Sequence, residues 1–239
     1  MKLPEDAVTP HAHTTNREAS TKETAHGRPA SFEDDVPLVL GGHSFIGQLG
    51  NEPRPTEDTQ CAIVEACLDN GIRWFDTTHR PERVALGKAL QRLQRREEAV
   101  IIAWNFFDDV GIEPEDGLDR AAPYQRLHIT QMLEQLQTSF IDCLVVHPVA
   151  GGDEVNAAQL ELAFEWQKSG YVGVLGTWEP GEDAVERFGL ENPYDFMVRP
   201  LNMATPDAGP AFAAAKRLGW HTLAASPFVR GWHLDRLVA

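Results

Sequence analysis

The sequence predicts an α/β fold of the TIM-type (β/α)8 barrel, built from about seven strand–helix units. Short, continuous apolar segments alternate with longer segments that carry apolar residues at helical spacing. Strands of a parallel sheet are buried on both faces and have that continuous apolar character. The alternation includes no glycine-rich phosphate-binding loop, which favours a barrel over a doubly wound sheet.

The predicted strands are short and separated by helical segments. They cover residues 36–40, 73–75, 100–103, 143–146, 172–175, 196–198 and 221–225. The first ends at Gly41-Gly42, as a buried strand does before a tight loop, and the second ends at Asp76. The strand ends are where a barrel of this type carries its functional side chains.

The predicted helices cover residues 56–70, 82–95, 124–139, 157–169 and 208–218. The first begins at Thr56 and continues with Glu57 and Asp58, where unpaired backbone amides favour negative charge. Gly71 suits its end. The third helix places one apolar face toward the sheet, formed by Leu127, Met132, Leu133 and Leu136.

The chain divides into two parts. Residues 1–34 are rich in Thr, Glu, His, Ala and Pro without a helix or strand period, and we expect a disordered tail. Residues 35–239 form one barrel domain. The chain ends soon after the seventh strand, so we expect the eighth unit to be missing and the barrel to be incomplete.

Composition excludes several classes of function. A formal net charge of -15 repels nucleic-acid phosphates, so we expect no nucleic-acid partner. The sequence contains neither a run of 18 apolar residues nor a signal-peptide pattern, which predicts a cytoplasmic protein without a membrane partner. Cys61, Cys67 and Cys143 lack metal-ligand spacing and are expected to be small buried residues.

Six segments occur in the order and spacing of a known family. They are residues 62–78, 82–90, 139–148, 166–178, 196–202 and 225–234. Over residues 36–239 the chain resembles the aldo-keto reductases, which implies NADPH-dependent carbonyl reduction on a barrel. The family uses an Asp, a Tyr that donates the proton, a Lys that lowers the pKa of the Tyr, and a His.

The resemblance covers only part of this chemistry. Asp76 and His147 match the family's aspartate and histidine. Pro81 or His79 stands at the tyrosine position, depending on the direction of counting, and Asn105 stands at the lysine position. A neutral amide cannot lower a neighbour's pKa as a cation does, so the catalytic tetrad is degenerate.

The implied cofactor positions are altered as well. Thr177 and Trp178 replace the Ser-Asn pair that holds the nicotinamide, and Val198 replaces a Gln. Three implied cofactor-binding residues remain, namely Asn202, Ser226 and Gly231. The segment that grips the 2′-phosphate is absent, so we expect NADP(H) to bind weakly or not at all.

Three functions remain open at this stage. The first is a degenerate, inactive or weakly active reductase that binds an unknown small molecule at the barrel mouth. The second is an active oxidoreductase in which His79 with His147 replaces the acid. The third is a metal-dependent hydrolase or lyase using His43, Asp76, His79 and His147, although the spacing carries no ligand signature and no metal site is assigned.

Each candidate residue also has a structural interpretation. His147 could be a hydrogen-bonded core histidine, and Asp76 could cap a turn or pair with Arg80 or Arg83. His79 could be an exposed loop residue. Trp104 and Trp178 are expected to face the mouth, either as the lining of a pocket or as fillers of the volume that a cofactor would occupy.

An incomplete barrel exposes strand edges. The edges would be residues 36–40 and 222–225, both short and apolar. Unpaired edges invite pairing with another chain, so we expect self-association there. The last residues could cover apolar surface through a helix face formed by Trp232, Leu234, Leu237 and Val238.

Overall fold

A computed structural model describes residues 38–46, 54–107, 120–191, 193–202, 205 and 207–227. The predicted tail, Gly231 and the predicted helix face over 232–239 lie outside these residues. Seven parallel strands form one sheet in the order β1 Val39–Gly41, β2 Trp74–Thr77, β3 Val100–Trp104, β6 Ile141–Val146, β7 Val172–Trp178, β8 Phe196–Pro200 and β9 His221–Ala225. Between β3 and β6 a short antiparallel pair is formed by β4 Phe106–Phe107 and β5 Arg120–Ala121.

Helices alternate with the parallel strands. They are α1 Glu57–Asp69, α2 Arg80–Leu93, α3 His128–Leu136, α4 Asp153–Lys168, α5 Glu182–Glu191 and α6 Ala208–Arg217. Two 3-10 turns, Gly42–Phe45 and Arg96–Glu98, complete the elements of the described residues. The α/β barrel-type fold predicted from the sequence is thereby confirmed.

The sequence prediction was wrong in detail at several boundaries. It omitted α5 and the β4–β5 pair, and it made α3 too long. Gln137 ends α3 in the left-handed conformation at φ 51, and Tyr124 lies before the helix, where its hydroxyl donates to the carbonyl of Val145. Side-chain periodicity detects neither a capping conformation nor a tertiary hydrogen bond.

Apolar side chains pack on both faces of the sheet. The inner face carries Trp74, Ile102, Trp104, Cys143, Val145, Phe196 and Val198. Phe196 fits because Gly176 lies opposite, where a Cβ would be 2.3 Å from the Phe196 ring. The larger cluster lies on the other face, between the sheet and the helices. Cys61 is buried in this larger cluster and Cys143 on the inner face, while Cys67 is partly buried. All three cysteines are free thiols.

The sheet is open in the part of the chain that the structure describes. β1 pairs only with β2 and β9 only with β8 among these residues. In the central strands β3 and β6, apolar side chains are buried on both sides of the sheet, and a shift of one residue would exchange the two sets. None of the described helices is long and apolar enough to cross a bilayer.

Candidate functional site

Polar and aromatic side chains gather where the parallel strands end, a region called the mouth here. His43 follows β1, Asp76 lies in β2, Trp104 ends β3, His147 follows β6 and Trp178 ends β7. The carboxyl ends of parallel strands meet at one edge of a barrel sheet, which is where such folds place their chemistry. Phe106 in β4 adds a further ring.

Asp76 has a tryptophan as its hydrogen-bond donor. The indole Nε1–H of Trp104 donates to Asp76 Oδ1 at 2.5 Å. Burial, together with the charge of Glu82, raises the pKa of Asp76 to about 7, and the hydrogen bond from Trp104 and the charge of His43 oppose this rise. A carboxyl group in this environment can hold a proton near neutral pH.

Asn105 does not face Asp76, although the resemblance assigns it the lysine position. Its Nδ2 donates to the carbonyls of Ala122 at 3.0 Å and His147 at 2.9 Å and to Gln159 Oε1 at 3.1 Å. Its Oδ1 accepts from the backbone N–H of His147 at 2.8 Å. The side chain that β3 directs at Asp76 is Trp104, since successive residues of a strand point to opposite faces.

His147 lies in a cluster of aromatic rings. Its ring is stacked at 18° on Trp178, with centroids 6.2 Å apart, and is perpendicular to Phe106 at 5.5 Å. Trp104 completes the cluster, 5.2 Å from Trp178 and 6.4 Å from Phe106. We call Trp104, Phe106, His147 and Trp178 the aromatic cluster.

The protonation of His147 follows from its contacts. Its Nδ1 lies 2.6 Å from the carbonyl oxygen of Pro148, which can only accept, so Nδ1 carries the proton. Burial lowers the pKa of His147, opposed by the hydrogen bond to Pro148 and by the charge of Glu179. The neutral ring therefore keeps Nε2 as a hydrogen-bond acceptor.

His79 is buried, and the interpretation as an exposed loop residue is wrong. It is 6% exposed and occupies the N-cap of α2, directly before Arg80. Its ring is stacked on His43 at 5.6 Å and meets the edge of Phe106 at 5.2 Å. His79 and His147 thus both contact the same phenyl ring.

Glu82 is the residue that sequence reasoning missed. It is fully buried, and its Oε2 accepts from the backbone N–H groups of Thr78 at 2.7 Å and His79 at 3.1 Å. Its Oε1 lies 2.6 Å from His43 Nδ1. A signal was available, because a Glu three residues after an N-cap is the pattern of a capping box.

The implied cofactor-binding residues have different positions. Thr177 is 1% exposed and its hydroxyl donates to the carbonyl of Val146 at 3.4 Å, on the helix side of the sheet. Trp178 is on the opposite side, in the aromatic cluster. Asn202 Nδ2 donates to the carbonyl of Ser226 at 2.9 Å, and Ser226 itself is left-handed at φ 53. Asn202 thereby connects the ends of β8 and β9.

No protein-family model and no curated protein matches the chain. Solved structures do match. PA4992 from Pseudomonas aeruginosa, provisionally described as an aldo-keto reductase, has a TM-score of 0.64 and 20% identity, over 84% of this chain and 75% of that one. The glycerol dehydrogenase AKR11B4 from Gluconobacter oxydans has a TM-score of 0.63 and 20% identity, over 80% of this chain and 60% of its own.

A third structure agrees. The holo form of the aldo-keto reductase AKR11C1 from Bacillus halodurans has a TM-score of 0.61 and 18% identity, over 78% of this chain and 60% of that one. This chain therefore has the aldo-keto reductase fold, as the order of its six sequence segments predicts. Identity at this level establishes the fold, while the chemistry of the mouth has to be argued from its own residues.

Proposed function

We propose that this chain uses the aldo-keto reductase fold to bind a small molecule at the mouth, with NADP(H) binding and carbonyl reduction weak or absent. The observation that carries the proposal is the hydrogen bond between Trp104 and Asp76. In the family's mechanism that carboxylate pairs with a lysine, which in turn lowers the pKa of a tyrosine. An indole is neutral and cannot perform this function.

The contacts of Asn105 support the same proposal. Both polar atoms of its side chain are used in bonds to Ala122, His147 and Gln159, and it is 0% exposed. It therefore serves to hold the backbone at the end of β6. Asn105 and Thr177 are both buried, so neither of them offers a polar group to a cofactor without local rearrangement.

The aromatic cluster favours a planar ligand. Its rings contact one another, with adjacent centroids from 5.2 to 6.4 Å apart, so they fill the space among them. Phe106, His147 and Trp178 are partly exposed and form an apolar surface, and Nε2 of His147 adds one acceptor. We expect a flat, largely apolar ligand with an N–H or O–H donor, stacked on this surface.

Cofactor titration tests the reductase side of the proposal. NADPH is added to the full chain while tryptophan fluorescence is followed, because Trp178 stands at a position that the resemblance assigns to nicotinamide binding and Trp104 contacts Trp178. We expect a dissociation constant well above the micromolar range, and no reduction of nitrobenzaldehyde above background. General acid catalysis contributes typically about 10²–10⁴-fold, so its loss should dominate the rate.

Two results would contradict this expectation. A submicromolar dissociation constant for NADPH would show that the cofactor site is intact. Turnover at ordinary reductase rates that falls in the His79→Ala variant would show an active oxidoreductase with His79 as its acid. The same loss in His147→Ala alone would instead assign the acid to His147.

A ligand panel tests the binding side. Planar heteroaromatic compounds with an N–H donor are titrated while the indole N–H signals are followed by NMR. Trp178→Ala should weaken binding about tenfold or more, since stacking on one aromatic ring contributes about 1–3 kcal/mol. Trp220→Phe is the control, because Trp220 is buried against Tyr194 between sheet and helices.

We also propose self-association through the sheet edge at β9. Alternate residues of β9, Thr222 and Ala224, are exposed in the structure as described. A strand edge with unpaired backbone groups is a template for a second chain. Light scattering at micromolar concentration should give a mass above that of the monomer. A monomer whose β9 amides exchange as slowly as those of β6 would rule this out.

A further inference from the structure

Three potential metal ligands lie together beside the aromatic cluster. The donor atoms of His43, His79 and Glu82 are all within 4.8 Å of one another. His43 comes from the turn after β1, His79 from the N-cap of α2 and Glu82 from its first turn. Residues 39 positions apart in sequence are thus brought together by the fold, which explains why spacing carried no ligand signature.

This set differs from the one that the sequence suggested. Asp76 binds Trp104, and the Nδ1 of His147 is occupied by Pro148. Glu82 takes their place and supplies a carboxylate that is fully buried. Two imidazoles and one carboxylate are the donor set of catalytic zinc sites and of non-haem iron(II) sites, which leave further positions open for water or substrate.

The geometry suits a shared ion after a small adjustment. Imidazole nitrogens bind zinc at about 2.1 Å, so two ligands of one tetrahedral ion lie about 3.4 Å apart. His43 Nδ1 and Glu82 Oε1 are closer, at 2.6 Å, which is a hydrogen bond with a proton between them. A metal ion would displace that proton, and the distance between the two atoms would have to increase by less than about 1 Å.

The local charge also favours a cation. Glu82 and Asp76 are two buried or partly buried acidic side chains at the mouth, and the charge of Glu82 acts on Asp76. The guanidinium of Arg83 is directed at the carbonyls of Thr78 and Phe106 and at Gln135. Buried carboxylates are stabilised by coordination to a metal ion as well as by ion pairs.

We propose that His43, His79 and Glu82 form a binding site for one divalent transition-metal ion, with its open coordination positions toward the mouth. The proposal does not depend on the ligand proposed for the aromatic cluster. It gives the mouth a Lewis acid beside Asp76, in place of the positive charge that a lysine would provide.

Zinc titration against a chromophoric chelator tests the site on the full chain. His11, His13 and His26 are first replaced by Ala, because scattered histidines of the N-terminal segment could bind zinc weakly. We expect this background variant to bind one zinc ion per chain. His43→Gln and His79→Gln, each made in that background, should lower the affinity about tenfold or more.

Matched controls separate coordination from folding. His147→Gln alters a neighbouring histidine outside the set and should leave zinc affinity unchanged. Glu82→Gln keeps an acceptor for the amides of Thr78 and His79 but loses the charge, so zinc affinity should fall while the melting temperature changes little. Circular dichroism confirms that each variant is folded.

A cobalt spectrum provides a measurement that needs no ligand variant. One equivalent of Co²⁺ added to the background variant should give the strong visible bands of a four- or five-coordinate ion. Zinc should abolish these bands by competition. The proposal is overturned if the background variant binds no stoichiometric zinc or cobalt, or if His43→Gln and His79→Gln both retain its full zinc affinity.

Discussion

Replacing Asn105 with lysine is expected to destabilise the protein by about 3–5 kcal/mol and to leave carbonyl reduction at background. The change restores the family's residue at the aligned position. Lysine has no acceptor, so the backbone N–H of His147 would lose its partner. The groups that now hold the Asn105 amide are all neutral, so a lysine ammonium buried among them would have no counter-charge there. Asp76 would gain nothing, because Trp104 is the side chain that faces it.

Chemical denaturation measures this effect as a difference in the free energy of unfolding. Ala158→Lys is the control, since Ala158 is exposed on α4 next to Gln159 and a lysine there should cost less than about 0.5 kcal/mol. A stable Asn105→Lys variant with measurable NADPH-dependent turnover would show that the amide network is dispensable. It would also show that the lysine reaches Asp76.

Relative to Asp76→Asn, the protein is expected to lose stability as the pH rises from about 4 to about 7. The pKa of Asp76 is raised from 3.8 to about 7, so the folded state binds a proton that the unfolded state has released in this range. The contribution is fully present below the lower value and is lost as the pH passes the upper one. Asparagine does not titrate but keeps an acceptor for the Trp104 indole.

Unfolding free energies of both forms at about pH 5 and about pH 8 test this sign. Glu82 and His43, whose charges act on Asp76, are present in both forms. The difference in unfolding free energy between the two forms therefore reports the titration of Asp76, including its interaction with these two groups. Trp104→Phe removes the hydrogen bond that lowers the pKa of Asp76, and should extend the loss of stability to higher pH. A constant difference between the wild-type protein and Asp76→Asn across the range would contradict the prediction.

The sequence correctly indicated several of the residues that lie at the mouth. Asp76 and His147 were placed at strand ends, and the structure has both of them there, because the alternation of apolar strands and helices locates each of the seven parallel strand ends to within about three residues. Trp104 and Trp178 were likewise expected to face the mouth. These assignments depend only on local patterns.

The partners of these residues could not be obtained in the same way. Alignment gave the lysine position to Asn105, yet one residue along a strand reverses the direction of the side chain, and Trp104 faces Asp76 instead. The structural alternative for His79, an exposed loop residue, was wrong, because the burial of His79 depends on contacts with His43 and Phe106 from other elements. Glu82 carried a local capping signal, but its contact with His43 depends on the tertiary structure in the same way.

The sequence by itself determined the barrel-type fold, the order of its seven parallel strands, and the absence of tyrosine and lysine from the aligned catalytic positions, since these follow from periodicity and residue identity. Only the tertiary structure decided which polar groups meet. It pairs Asp76 with an indole, ties Asn105 to the backbone of His147, and brings His43 to Glu82. The physical reason is that burial, pKa and hydrogen bonding depend on neighbours from distant parts of the chain, which packing of the sheet and helices brings into contact.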